Sequence, residues 1–128
     1  INISYKNDGK NKYLIYGIEN RIEQIIANLL DNAISFSDDN KDVIVQVSKS
    51  EDNKVYIKIL DEGQGFKEKD TNKIFKRFYS NRPDKFGQHS GLGLNIVKNL
   101  VDLHNATIKA TNREDKKGAS MEIEFPKV

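Results

Sequence analysis

Between Glu19 and Ile34 the apolar residues Ile22, Ile25, Ile26, Leu29, Leu30, Ala33 and Ile34 recur at spacings of three and four. That period places them on one face of a helix of about five turns, and such a face must be buried against another layer. The flanking sequence shows what supplies it. "INISYK" alternates as an edge strand does, and "KYLIYG", after the turn-like "NDGKN", reads as a second short strand. "DVIVQVSKS" and "KVYIKILDEG", joined by "EDN", read as an antiparallel hairpin. "ATIKATN" and "SMEIEF" give two closing strands around the turn "REDKKG", with Pro126 as the stop. A second helical stripe, Ile96, Val97, Leu100, Val101 and His104, starts within "SGLGL". The predicted fold is an α/β two-layer sandwich: a mixed, mostly antiparallel sheet of about five strands, covered on one face by about three helices.

One stretch fits neither layer. From about 66 to 90 the chain is polar and irregular apart from the aromatic patch "IFKRFY". Connections this long are uncommon in compact domains and tend to be functional lids. The 128 residues suit a single domain over 1–128. A net charge of +2, with lysines interleaved among acids, gives no footprint for nucleic acid. With no cysteine there are neither disulfides nor thiolate metal sites. No apolar run is long enough to span a bilayer, so direct membrane contact is not expected of this domain. The only methionine is Met121, and the chain reads as a fragment of a longer protein.

Three elements carry chemical interest. Asn28 and Asn32, four residues apart, fall beside the apolar arc of the first helix, on the seam between core and solvent. Asn offers a neutral oxygen acceptor of the kind Mg²⁺ accepts, although exposed or capping amides occupy such positions equally well. "DEGQG", Asp61 to Gly65, closes an apolar strand. A carboxylate there can accept from the exocyclic amine of adenine, where guanine presents an acceptor, but Asp and Gly also suit an ordinary turn. "GLGL", Gly91 to Leu94, opens a helix whose free N–H groups suit phosphate, or it is a flexible hinge.

Taken in order, these elements resemble the ATP-binding catalytic domain of bacterial sensor histidine kinases. That family belongs to the superfamily of gyrase, the heat-shock 90 chaperones and MutL, with its Bergerat-type fold. "NLLDNA" is similar to the N box, "DEGQG" to the first glycine box, "IFKRFY" to the F box and "GLGL" to the second glycine box. "KKGASMEIEFP" is similar to the last glycine box and closing strand, so the resemblance covers essentially the whole chain. The wording of "NAISFS" and "RPDKFGQHSGLGL" is most similar to envelope-stress sensor kinases of alphaproteobacteria.

The resemblance implies that Asn32 is the Mg²⁺ ligand and that Asn28 stands where the ATP-hydrolysing cousins carry a glutamate. An amide cannot act as a base, which favours transfer of the γ-phosphoryl group over hydrolysis. It also implies that Asp61 selects adenine, with Gly63 and Gly65 making room for the base and Ser120 assisting through a water. Gly91, Leu92, Gly93 and Leu94 would form the phosphate-facing turn. Phe75 and Phe78 would pin the lid, and Arg77, Arg82 and Lys85 are its cations, Arg82 being the first choice to meet phosphate. Ser35 departs from the pattern, since many members carry a lysine there. His89 and His104 lack the context of a phosphoacceptor, so the acceptor belongs to a separate dimerisation hairpin of the same protein. A response-regulator receiver domain is the further partner implied, and the location implied is the cytoplasmic side of an inner-membrane sensor kinase. The alternatives are an ATP-hydrolysing domain of the same fold and a non-catalytic nucleotide-binding module.

Overall fold

The alternating segments assemble into one five-stranded sheet in the order β1-β2-β3-β5-β4. The structure, a computed structural model, describes residues 2–7, 13–37, 40–66, 74–75 and 92–128, with β1 and residue 92 described through their backbone alone. β1 (Asn2–Lys6) lies at one edge, parallel to β2 (Asp42–Lys49). β2 and β3 (Val55–Leu60) form the expected antiparallel hairpin. β5 (Ala119–Phe125) runs antiparallel between β3 and β4 (Thr107–Asn112). The described residues include two α-helices, α1 (Glu19–Phe36) and α2 (Leu92–Leu103), and a short 3₁₀ turn at 74–75.

Residues paired across strands share a face of the sheet. The row Val47, Ile57, Ile123, Ile108 and the row Val45, Ile59, Met121, Ala110 therefore face one way. They meet Ile25, Leu29 and Ala33 of α1 and Val97 and Val101 of α2 in a single core. The opposite face carries Gln46, Lys58, Glu122 and Lys109 in one row, where Lys58 and Glu122 form an ion pair at 3.5 Å. This polar face explains why one helix layer is enough.

Residues 13–18 do not form the second strand expected of "KYLIYG". Tyr13 and Ile15 pack on the core, whereas Leu14, Tyr16 and Ile18 are 63%, 71% and 52% exposed. The alternation is that of an extended segment laid on the core, and the sheet order contains no strand beside it.

That segment leads into α1 through a link to α2. The Ile18 N–H donates to Nε2 of His104 at 3.1 Å, and His104 Nδ1 lies 2.7 Å from the Leu100 carbonyl oxygen. An imidazole that accepts at Nε2 carries its proton on Nδ1, so His104 serves both bonds as the neutral tautomer. The N-terminus of α1 is thereby tied to the C-terminus of α2, and the helices run antiparallel. The other end of the sandwich gathers the C-terminal half of α1, the start of α2, the ends of β3 and β4 and the start of β5.

The core makes a direct prediction. Leu29→Ala, at a position 1% exposed, is expected to lower unfolding free energy by about 2–5 kcal/mol. Leu14→Ala is expected to change it by no more than about 0.5 kcal/mol. Urea unfolding followed by circular dichroism distinguishes the two.

Candidate functional site

Asp61 is the first residue past β3, and its side chain lies on the helix side of the sheet, 3% exposed. Its N–H donates to the Ala119 carbonyl at 3.0 Å, extending the ladder with β5 by one residue. Its Oδ1 accepts from the N–H groups of Ala119 and Gly63, each at 3.0 Å. A buried carboxylate requires such donors, and these come from rigid backbone, so the group has one orientation. The Arg113 Nη1 donates to the Asp61 carbonyl oxygen at 3.1 Å.

The Asp61–Ala119 pairing depends on Gly118. A Cβ built there would stand 2.0 Å from the Asp61 carbonyl oxygen, and φ is +149°. Gly65 is constrained in a similar way, with φ of +76° and a hypothetical Cβ 2.5 Å from Oδ1 of Asn112. Asn112, the last residue of β4, clamps the next peptide: Oδ1 accepts from the Phe66 N–H at 2.6 Å, and Nδ2 donates to the Phe66 carbonyl at 3.1 Å. The chain thus crosses the end of β5 and arrives at β4 at Phe66. Gly65 has a structural reason to be glycine that is independent of any base. Beside this turn, Glu62 accepts from the Asp42 N–H at 2.7 Å and pairs with Lys116 at 3.2 Å. The Asp42 N–H, then Lys116, hold the Glu62 carboxyl below its ordinary value.

Asn28 and Asn32 are half-buried on α1, each one position before a core residue (Leu29, Ala33), which is the seam the periodicity predicted. Gly93 is exposed near the start of α2, and among the described residues a Cβ added there would meet nothing within 4 Å. Leu94 packs against the core. Ser120 is placed differently. It pairs with Leu60 and Thr111, so strand alternation turns it to the polar face, away from the Asp61 carboxylate. Ala119, with no hydroxyl, takes the inward position beside Asp61. The water-mediated assistance expected of Ser120 is therefore not brought to Asp61.

Phe75 and Ile74 are 6% and 2% exposed and belong to the core. The Asn95 Nδ2 of α2 donates to the Phe75 carbonyl at 3.2 Å, so the short turn at 74–75 is held to α2 by one amide as well as by packing on the core. Phe78, Arg77, Arg82, Lys85, His89 and Gly91 lie outside the described residues, as does most of the stretch 66–90. His104 has both ring nitrogens engaged and is a structural cap. Among the described residues no group of three or more His, Cys, Asp or Glu side chains is placed to hold a metal. A hard cation at this site would draw on an amide such as Asn32 together with oxygens from its ligand, which suits Mg²⁺ bound to phosphates. None of the described helices is long and apolar enough to cross a membrane.

Sequence reasoning missed Asn112, Arg113 and Asn95. Each acts through a backbone carbonyl or amide distant in sequence, and no local pattern encodes such a partner.

The family model described as histidine kinase-, DNA gyrase B- and HSP90-like ATPase matches residues 17–128. The sensor protein ChvG of Agrobacterium fabrum is 37% identical over 116 residues, covering 88% of this chain and 19% of that protein. ChvG of Rhizobium meliloti is 36% identical over 119 residues, covering 91% and 20%. The chain thus spans about a fifth of the length of these curated relatives. The catalytic domain of histidine kinase ThkA is similar with a TM-score of 0.81 at 27% identity, covering 98% of this chain and 78% of that one. ThkA in complex with response regulator protein TrrA gives 0.78 at 25% identity, covering 98% and 34%.

Two predictions test the turn itself. Gly118→Ala forces a Cβ onto the Asp61 carbonyl and is expected to cost at least about 3 kcal/mol, read by chemical denaturation. The contribution of Glu62 to stability is complete above the ordinary glutamate pKa and disappears as pH falls through its lowered folded value. Thermal unfolding of Glu62→Gln across the acid range is accordingly expected to show a shallower loss of stability with falling pH than the parent.

Proposed function

The chain belongs to the histidine kinase-, DNA gyrase B- and HSP90-like ATPase family, and from that premise we propose that it is the ATP-binding catalytic domain of a sensor histidine kinase. It binds Mg-ATP and donates the γ-phosphoryl group to a histidine on the dimerisation hairpin of the same protein, which passes it to a response-regulator receiver domain. The full protein is an inner-membrane sensor with this domain on the cytoplasmic side. The observation that carries the reading is Asp61: a buried carboxylate, aimed by two backbone N–H groups, at the sheet end that α1 and the start of α2 also reach.

In this reading Asp61 accepts from the exocyclic amine of adenine and disfavours guanine. The open space at Gly93 lets the phosphate chain approach the start of α2, where helix N–H groups favour anions. Asn32 lends a neutral oxygen to Mg²⁺, which offsets phosphate charge when bound. Asn28, on the same flank, orients polar groups near the phosphates and cannot remove a proton from water. Arg82 and the other lid cations supply positive charge that Ser35 does not. Phosphoryl transfer requires mainly positioning and charge neutralisation, so a site of this composition suffices. The acceptor histidine brings its own nucleophilic nitrogen from outside the domain.

The test uses the domain with its hairpin supplied in trans, ATP and Mg²⁺. Wild type is expected to label the hairpin histidine, and Asn32→Ala to slow labelling by at least about tenfold. Equal rates would remove the metal assignment, and rapid steady-state phosphate release without labelling would favour a hydrolase. Gly93→Ala should keep or raise thermal stability by up to about 1 kcal/mol while weakening ATP binding, because its new methyl meets no described protein atom and would stand where the phosphate chain approaches.

A further inference from the structure

The Arg113 side chain is only 5% exposed, although its residue lies in the turn after β4. Its three described bonds are directional. Nη1 donates to the Asp61 carbonyl at 3.1 Å, Nε to Asp115 Oδ1 at 3.0 Å and Nη2 to Asp115 Oδ2 at 2.8 Å. Asp115 is exposed, so the ion pair itself contributes little to stability. Its two oxygens nevertheless present a fork that fixes the plane of the guanidinium. The aliphatic stem completes the arrangement, for the Cδ of Arg113 lies 3.1 Å from where a Cβ on Gly118 would stand. The Arg113 N–H also closes the turn by donating to the Gly118 carbonyl at 2.9 Å.

The direction of approach matters. Arg113 lines a groove of about 500 Å³ together with Lys58, Lys109, Ser120 and Glu122 of the polar face. The Asp61 carboxylate lies on the other side of the sheet. Arg113 thus holds the Asp61 main chain from behind, while Ala119 and Gly63 hold the carboxylate from within. Loss of the guanidinium removes a restraint on the Asp61–Glu62 peptide, which leads directly to the Gly63 N–H that helps to hold the carboxylate.

We propose that Arg113, oriented by Asp115, is a positioning residue for base selection: it sets the aim of Asp61 from the opposite face of the sheet without touching nucleotide. This rests on the adenine-accepting role of Asp61 given above. It assigns specificity to a residue in the final turn that the nucleotide does not reach.

The experiment compares ATP and GTP affinity, by displacement of a fluorescent ATP analogue, for wild type, Arg113→Met and Asp115→Ala. Methionine keeps an apolar stem over Gly118 and removes the guanidinium. Arg113→Met is expected to bind ATP roughly tenfold more weakly, with GTP affinity little changed, so the ATP-to-GTP ratio falls by a similar factor. Asp115→Ala, at an exposed position, is expected to move the ratio in the same direction by a smaller factor, and it decides the matter alone should Arg113→Met fail to fold. Arg113→Lys should not restore the ratio, because an ammonium cannot be held by the same fork. An ATP-selective wild type with equally selective variants overturns this inference and leaves the proposed function standing. Equal loss of ATP and GTP affinity in both variants also overturns it. A wild type that does not prefer ATP removes the adenine role of Asp61 and this inference with it.

Discussion

The passage of the Gly118 backbone against the Asp61 carbonyl sets the end of the sheet on which the candidate site depends. With any side chain at 118 the strands would part, because the space is closed to within 2.0 Å. Their contact lets Asp61 pair with Ala119 one residue beyond the regular strand, and this brings the Ala119 N–H onto the carboxylate. It also brings the Asp61 carbonyl within reach of Arg113. The crossing segment then delivers Phe66 to Asn112, where an amide side chain imitates a strand partner. The missing Cβ at Gly118 therefore governs the carboxylate and its support together.

Much of this was legible in the sequence, and the boundary has physical causes. α1 begins and ends where its periodicity and the polar run after it imply, because a face of four buried residues requires 3.6-residue spacing. The hairpin and closing strands were equally plain, since one buried face and one solvated face impose alternation. "KYLIYG" failed for the same reason that it looked convincing. An extended segment packed on a core alternates as a strand does, and alternation cannot tell whether hydrogen-bonding partners exist. Ser120 shows a second limit: a one-residue difference in register decides whether a hydroxyl faces Asp61 or the polar side. Asn112 and Arg113 show a third, for their partners lie 46 and 52 residues away and are main-chain atoms.

The helix layer has its own organising contact at the opposite end. His104 accepts from the Ile18 N–H and approaches the Leu100 carbonyl, so one neutral ring ties the start of α1 to the last turn of α2. An imidazolium would place a second donor against the Ile18 N–H, and the two would repel. A histidine there supports the antiparallel arrangement that carries the asparagines of α1 and Gly93 of α2 toward the Asp61 end. The seam position of Asn28 and Asn32 follows, since each sits one residue from a side chain locked in the core.

The protonation chemistry of that end is consistent with transfer to an outside acceptor. Asp61 is committed to backbone donors, and Glu62 is held in its charged form by the Asp42 N–H and Lys116. Asn28 and Asn32 offer oxygens with no basicity at neutral pH. Neither acid of the Asp61–Phe66 turn, nor either amide of α1, is arranged to take a proton from water beside a phosphate. In the proposed function this separates binding from reaction: the domain orients and neutralises a triphosphate, and the phosphoryl group leaves only when an acceptor supplies its own nucleophile. In that proposal a glutamate at position 28 would abolish the separation by providing a base beside the phosphates.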